Sequence, residues 1–434
     1  MAQMAAQDVD VAQLFVEAAA HGNLEVVQKL LDAAEQPEQL VMTRTGDGET
    51  ALMQAAHEGH LAIVNTLLAH APEQQVLADA GIQNKRWTAL MAAAQGGHVE
   101  VVRALLAHAP ERQVMGATNS RHTALILAAQ LGHAEVVRAL LAHAPERQVM
   151  GATNSQHTAL ILAAHYGHVE VVRALLAHVP EQQVMGATNN GHTALIIAAH
   201  HGHVEVVRAL LAHVPEQQVI AQAMDNEVTA LIAAAELGHV EVVKALLAHV
   251  PEQQVLHRGA HDCMALSVAA ARGHVGVMRL LLQFQPQPQL VHVTDSGSTA
   301  LAVAARRGQA DAIRLLLAAG YVDQQLNAGT RSPLTRAAAG GHLEVLQLLL
   351  SHINDPAQVT AALHSIKASQ LLEGHKECCR LLFVRGADIS ALPVQQLQRV
   401  QDALRETVAS ALVPGAVTQA VNDAVTKLAH AARR

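Results

Sequence analysis

The sequence predicts an all-α solenoid of about eleven helix-turn-helix units with a C-terminal helical cap. A Gly-His dipeptide, or its glycine alone, recurs at intervals of 33 to 38 residues through most of the 434-residue chain. These glycines are Gly22, Gly59, Gly97, Gly132, Gly167, Gly202, Gly238, Gly273, Gly308, Gly341 and Gly374. Such a period indicates one supersecondary unit stacked many times, with the core running between neighbouring units.

The first helix of a unit is well marked in residues 122–156. Thr123 precedes a run of alanine and leucine, so its hydroxyl is expected to cap the helix by accepting a bond from a backbone amide. The run 124–131 predicts a short helix of small side chains, which a neighbouring helix can approach closely. Gly132 ends it, because glycine adopts the left-handed conformation without steric cost.

A second helix is predicted to begin near Ala134. Its buried stripe has helical spacing and consists of Val137, Leu140 and Leu141. His143 is expected in the last turn and Pro145 is expected to end the helix. The turn-forming residues 151–155 then lead to the next unit.

Two antiparallel helices and a turn-forming finger, with Thr-x-Leu at the start and Gly-His between the helices, resemble the ankyrin repeat. The family's Thr-Pro-Leu-His opening appears here as Thr-Ala-Leu-Ile or Thr-Ala-Leu-Met, and only Ser332-Pro333-Leu334 keeps the proline. Isoleucine replaces the histidine of the family's motif in this chain, and we expect these isoleucines to pack against apolar side chains. They are Ile126, Ile161 and Ile196. The resemblance implies an ankyrin-repeat array over residues 11–390.

Residues 391–434 depart from the repeat. Two apolar faces at helical spacing are separated by Pro414-Gly415: Val394, Leu397, Val400, Leu404, Val408 and Leu412, then Val417, Val421, Val425 and Leu428. Because an array must cover its last apolar face, we expect this segment to be a C-terminal helical cap. The alternative is a helix that binds a membrane surface or a partner.

Composition excludes several classes of function. No stretch is apolar for the length of a membrane span, and the first residues lack the basic and apolar regions of a signal peptide, so a cytoplasmic protein is expected. A net charge of -8 argues against a nucleic-acid partner. Three cysteines cannot form a disulfide framework, and we expect Cys378 and Cys379 to be small buried residues.

The 29 histidines predict neither a metal site nor catalysis. Most belong to the repeat itself, and residues one period apart are expected to lie too far from each other to share a metal ion. The Gly-His histidines are expected to be buried and neutral. We find no phosphate-binding loop and no nucleophile motif, so the sequence predicts no enzyme, no cofactor and no catalytic residue.

The positions that change between near-identical units predict where a partner binds. They lie just before each Gly-His, and the ankyrin resemblance implies that this end of the first helix faces the concave groove. The predicted partner-binding residues are Leu131, His165, Tyr166, His200, His201, Leu237, Arg272 and Arg306. The alternative is neutral drift on a solvated face. The fingers form a second candidate surface, which includes residues 84–87 with the single tryptophan, Trp87.

Together these features predict a non-catalytic scaffold, monomeric, that binds a protein partner through its groove and finger loops. The alternative is a secreted bacterial effector that uses the array to bind a host protein in the host cytoplasm. The alanine-rich composition and the near-identical repeats fit a GC-rich bacterial genome. A secretion locus or an enzyme gene next to this gene would discriminate between the two.

Overall fold

The computed structural model describes residues 2–80, 86–224, 227–366, 373–385 and 387. It divides into two compact units, unit 1 (Met1–Asp225) and unit 2 (Asn226–Arg434). The predicted cap over residues 391–434 and the finger residues 84–85 lie outside the described residues.

In its described part, unit 1 contains six successive groups of three helices. They are α1 (Ala2–Ala20), α2 (Leu24–Ala33), α3 (Pro37–Leu40), α4 (Ala51–Glu58), α5 (Leu61–Leu68), α6 (Pro72–Leu77), α7 (Ala89–Gly96), α8 (Val99–Leu106), α9 (Pro110–Val114), α10 (Ala124–Leu131), α11 (Ala134–Leu141), α12 (Pro145–Val149), α13 (Ala159–Tyr166), α14 (Val169–Leu176), α15 (Pro180–Val184), α16 (Ala194–His201), α17 (Val204–Leu211) and α18 (Pro215–Ile220).

Unit 2 continues the same order until its end. Its helices are α19 (Ala230–Leu237), α20 (Val240–Leu246), α21 (Pro251–Val255), a 3-10 turn (Ala260–Asp262), α22 (Ala265–Arg272), α23 (Val275–Leu281), α24 (Pro286–Val291), α25 (Ala300–Arg307), α26 (Ala310–Ala318), α27 (Val322–Asn327), α28 (Pro333–Gly340), α29 (Leu343–Leu350), α30 (Pro356–His364) and α31 (Glu373–Val384). At this end α30 packs against α28 and α31 against α29.

The first helix of each repeat begins and ends as the sequence predicts. The Thr123 hydroxyl accepts a hydrogen bond from the Ile126 amide at 3.3 Å, and Gly132 ends α10 with φ +82°. The same threonine cap recurs at Thr50, Thr88, Thr158, Thr193, Thr229 and Thr299. At α22 the position is Met264, which has no oxygen to cap with.

The second helix buries its predicted stripe, but its end differs from the prediction. Val137, Leu140 and Leu141 are buried in α11, which ends at Leu141, so His143 lies beyond the helix. Pro145 does more than mark the end of the second helix. It begins the short third helix α12, since proline at the first helical position loses no hydrogen bond.

That third helix carries a buried glutamine that caps the second helix. The Gln148 Nε2 donates to the Leu140 carbonyl at 2.7 Å and also to the His143 carbonyl. The Leu140 carbonyl also accepts from the His143 amide, so the glutamine adds a donor at the helix end, where carbonyls lack the usual intrahelical partners. Equivalent glutamines donate in the same way in the other repeats: Gln75, Gln113, Gln183, Gln218, Gln254, Gln289 and Gln325. This contact was not predicted from the sequence.

Neighbouring repeats within each unit pack helix on like helix. In unit 1, α10 contacts α7 and α13 while α11 contacts α8 and α14; in unit 2, α25 contacts α22 and α28. The interface is made of alanine, leucine and valine. Ile126, Ile161 and Ile196 are also buried, so the apolar packing predicted for them is confirmed.

The Gly-His motif joins one repeat to the next. The Nε2 of His168 donates to the Gln130 carbonyl of the preceding repeat at 3.1 Å, and its ring lies against Gly132. The same bond is made by His60, His98, His133, His203, His274, His342 and His375. These histidines were expected to be buried, but in the described residues only His375 is; the others are half-exposed because their rings lie at the surface end of the helix pair.

Candidate functional site

The candidate site in unit 1 is built at the exposed ends of the first helices. Each helix ends one residue before its glycine, so its last two side chains are not covered by the repeat that follows. Leu131 is 45% exposed and Tyr166 is 48% exposed. His165, His200 and His201 are exposed as well. The residues that vary between repeats are therefore available to a partner.

Four of the predicted residues form a contiguous ring cluster, defined as His165, Tyr166, His200 and His201. Ring centroids of His165 and His201 are 4.4 Å apart, those of His165 and Tyr166 are 4.7 Å apart, and those of His200 and His201 are 5.0 Å apart. Tyr166 also stacks on His168 and His201 on His203, at 6.1 Å and 5.9 Å.

His165 and His201 belong to neighbouring repeats and lie in contact. Residues one period apart were expected to lie too far from each other to share a metal ion; these two are 36 residues apart in the sequence, and their rings meet edge to face. The reason is that α13 and α16 bury mainly alanines against each other, so the helices approach closely. In the described residues no group of three or more histidine, cysteine or acidic side chains is arranged to hold a metal ion.

A polar cleft of about 380 Å³ lies between two fingers of unit 1. Its lining consists of Ser155, His157, Thr188, Asn189, Asn190, His192 and Ile197. Burial lowers the pKa of His157, and the nearby His165 and His122 lower it further. The effect of His165 on His157 shows that the ring cluster lies near this cleft, here called the finger cleft.

The lowered pKa of His157 predicts a pH dependence of stability. Below the unfolded value of about 6.5 the unfolded chain binds more protons at this site than the folded chain does. Stability from this group is therefore complete above pH 6.5 and is lost as the pH falls below it. We expect the melting temperature to decrease on going from pH 7 to pH 5.5, and to decrease less in His157→Gln. An equal decrease in both proteins would contradict the assignment.

The predicted residues in unit 2 have a different environment. Leu237 is 42% exposed at the end of α19. Arg272, another of the predicted partner-binding residues, pairs through its Nη2 with Glu236 at 2.6 Å. Arg306 is exposed at the end of α25, and its carbonyl accepts the bond from His342.

Two further arginines near Arg306 were not predicted from the sequence. Arg331 is exposed in the finger before α28, and Arg336 is half-buried within α28. The positive charges of Arg331 and Arg306 both act on Arg336. The signal in the sequence is that Arg336 replaces the apolar residue found at the equivalent positions 127, 162 and 197.

Other groups that could support chemistry are inert. Burial raises the pKa of the Cys378 thiol to about 11 and that of Cys379 to about 12, so both remain protonated as predicted for small buried residues. Trp87, which the sequence offers as part of a second candidate surface, is half-buried and lines a cleft with Glu49 and Met53 of the neighbouring repeat. Among the described helices, none combines the length and the apolar character needed to cross a membrane.

Comparison with protein families decides what the repeats are. The family model described as "Ankyrin repeats (3 copies)" matches six overlapping stretches: residues 14–115, 74–150, 111–185, 146–223, 180–257 and 252–328. The chain belongs to the ankyrin repeat family. The comparison with curated proteins gave no match.

Membership of the ankyrin family confirms the predicted fold class. The chain is an ankyrin-repeat solenoid whose described helices recur as helix-turn-helix units. Ankyrin repeats are generally modules of protein–protein interaction, and ankyrin repeat proteins are typically non-enzymatic scaffolds. The ankyrin array therefore indicates a protein as the partner.

Proposed function

We propose that this ankyrin chain is a non-catalytic scaffold that binds a protein partner, with the ring cluster of unit 1 at the centre of the contact surface. The observation that carries the proposal is the contact of four exposed rings at positions that vary between near-copy repeats. Tyrosine is enriched among the residues that dominate binding energy at protein interfaces.

The surroundings of the ring cluster support an interface. Leu131 offers an exposed apolar side chain one repeat earlier, and the finger cleft next to His165 offers hydroxyl and amide groups. An apolar and aromatic centre with a polar rim is the usual anatomy of a protein contact surface. The chain is proposed to act as a monomer, without a cofactor and without nucleic acid.

In unit 2, Leu237, Arg272 and Arg306 are proposed to bind the protein partner as well. Like the ring-cluster residues, these side chains are exposed and lie at the ends of the first helices of their repeats. Because Arg272 is already paired with Glu236, its charge is expected to add less than that of Arg306.

The proposal is tested by a double substitution in the ring cluster. Tyr166→Ala with His201→Ala is expected to weaken binding of the protein partner at least tenfold, because one truncation at an interface centre costs about 2 kcal/mol or more. Helicity and melting temperature should change little, since both side chains are exposed. The measurement is a pull-down, followed by titration of the retained protein.

The matched control is Arg138→Ala with Arg173→Ala. These arginines lie on the exposed face of the second helices, where they pair with Glu135 and Glu170. The control should retain the partner, because exposed ion pairs contribute little. If the control loses the partner while the ring-cluster variant keeps it, the contact surface is on the second-helix side and the proposal is wrong.

A further inference from the structure

Unit 2 contains a group of neighbouring positive charges, here called the arginine cluster: Arg306, Arg331 and Arg336. Arg306 lies at the end of α25, and Arg336 lies in α28, which packs directly on α25. Arg331 lies in the finger that leads into α28. The packing of these two helices and the position of the finger bring the three side chains close enough for the charges of Arg306 and Arg331 to act on Arg336.

Within the described residues the arginine cluster has no carboxylate partner. Nearby arginines do have one: Arg272 pairs with Glu236, and Arg314 pairs with Asp311 and Glu344. The Nη2 of Arg336 is moreover buried and has no hydrogen-bond partner in this part of the chain. A buried charged donor without an acceptor is unfavourable, so the chain itself leaves this guanidinium incompletely paired.

The position of Arg336 in the repeat is the second observation. It is equivalent to Leu127, Leu162 and Ile197 of unit 1, the fifth residue counted from the capping position. In unit 1 this position faces the fingers, since Ile197 lines the finger cleft. An arginine therefore occupies the place at which the repeat forms a cleft, where an apolar residue would suffice for folding.

Electrostatics agree with the geometry. Burial lowers the pKa of the Arg336 guanidinium, and the like charges of Arg331 and Arg306 lower it further. No acidic side chain offsets these effects in the described residues. The local field is positive although the whole chain carries a net charge of -8.

We propose that the arginine cluster is a binding site for acidic side chains on a peptide segment of the protein partner. Guanidinium groups bind carboxylates through paired, charge-assisted hydrogen bonds, and the exposed Arg306 and Arg331 present such groups beside the half-buried Arg336. The inference rests on the proposed function as a protein-binding scaffold. Nucleic acid is disfavoured as the ligand because the rest of the chain is acidic and would repel a longer polyanion.

The test measures binding of a fluorescein-labelled hexaglutamate peptide to the full chain by fluorescence anisotropy, with hexaglutamine as the neutral peptide. The wild-type protein is expected to bind hexaglutamate and not hexaglutamine, and more weakly as salt is raised. Arg331→Ala with Arg336→Leu is expected to weaken binding at least tenfold. Arg336→Leu should not lower the melting temperature, because leucine is the residue of the equivalent positions 127 and 162.

The matched control is Arg112→Ala with Arg147→Ala, which removes two exposed arginines from third helices of unit 1. It should change the hexaglutamate affinity less than twofold. The inference is overturned if wild-type protein does not bind hexaglutamate, if the control weakens binding as much as the cluster variant, or if a single-stranded hexanucleotide binds more tightly than the peptide.

Failure of this inference is distinguishable from failure of the proposed function. The ring cluster and the arginine cluster consist of different residues, so their variants are scored separately. If hexaglutamate does not bind while Tyr166→Ala with His201→Ala still loses the partner, the acidic-segment inference is wrong and the scaffold proposal stands.

Discussion

Replacement of Gly132 by alanine is expected to lower the free energy of unfolding by about 2 kcal/mol or more, as the sum of two effects. Gly132 has φ +82°, and an L-residue in the left-handed conformation costs roughly 1–2 kcal/mol. A Cβ at this position would also lie 2.7 Å from the Nδ1 of His168, which belongs to the next repeat, and overpacking adds about 1–3 kcal/mol. Urea denaturation of both proteins gives the difference.

Two other glycines separate the strain from the contact. Gly320 has φ +93°, but a Cβ at this position would have no atom within 4 Å, so Gly320→Ala should show the strain alone. Gly46 has neither feature, and Gly46→Ala should be close to neutral. His168→Ala added to Gly132→Ala should recover part of the loss. If Gly132→Ala and Gly320→Ala are equally destabilised, the imidazole contact does not contribute.

The contact between Gly132 and His168 explains why the Gly-His dipeptide recurs. The glycine receives the histidine of the following repeat, and the histidine reaches back to the preceding one. At Gly273 the following repeat offers Gln309 in place of histidine, and its side chain takes the same place. The sequence predicted the helix break from glycine alone, since a pairing across repeats is not visible in one unit.

The local signals in the sequence were sufficient for most of the fold. Thr123 and Gly132 act on their own helix, so their effects follow from the residues themselves. Pro145 was misinterpreted because proline both ends one helix and begins another, and only the residues after it decide which. The third helix was therefore not predicted.

The exposure of the candidate binding residues could be predicted from the sequence, but their contacts with one another could not. Exposure of Tyr166 and His201 followed from their place before the glycine, whereas the edge-to-face contact of His201 with His165 depends on the register between two helices. The ion pair of Arg272 with Glu236 depends on the same register. Contacts across repeats of this kind are set by packing distance, which the sequence of a single unit does not contain.

The second large effect is expected at the buried glutamine of the third helix. Gln183→Ala should lower the free energy of unfolding by about 1–3 kcal/mol, because the side chain is 3% exposed and donates to two backbone carbonyls. The Leu175 carbonyl would keep the His178 amide as a donor, whereas the His178 carbonyl would lose the donor that Gln183 supplies, and an unsatisfied buried group costs about 1–3 kcal/mol. Urea denaturation with circular dichroism at 222 nm, as a helix signal, measures the loss.

The neighbouring Gln182 supplies the matched control, since it lies in the same short helix with its side chain exposed. Gln182→Ala should leave the free energy of unfolding almost unchanged. Gln183→Leu keeps the volume but removes the donor, so it should be nearly as unstable as Gln183→Ala if the hydrogen bonds dominate. Recovery of wild-type stability in Gln183→Leu would show that the glutamine only fills space, and that the second helix needs no cap from the third.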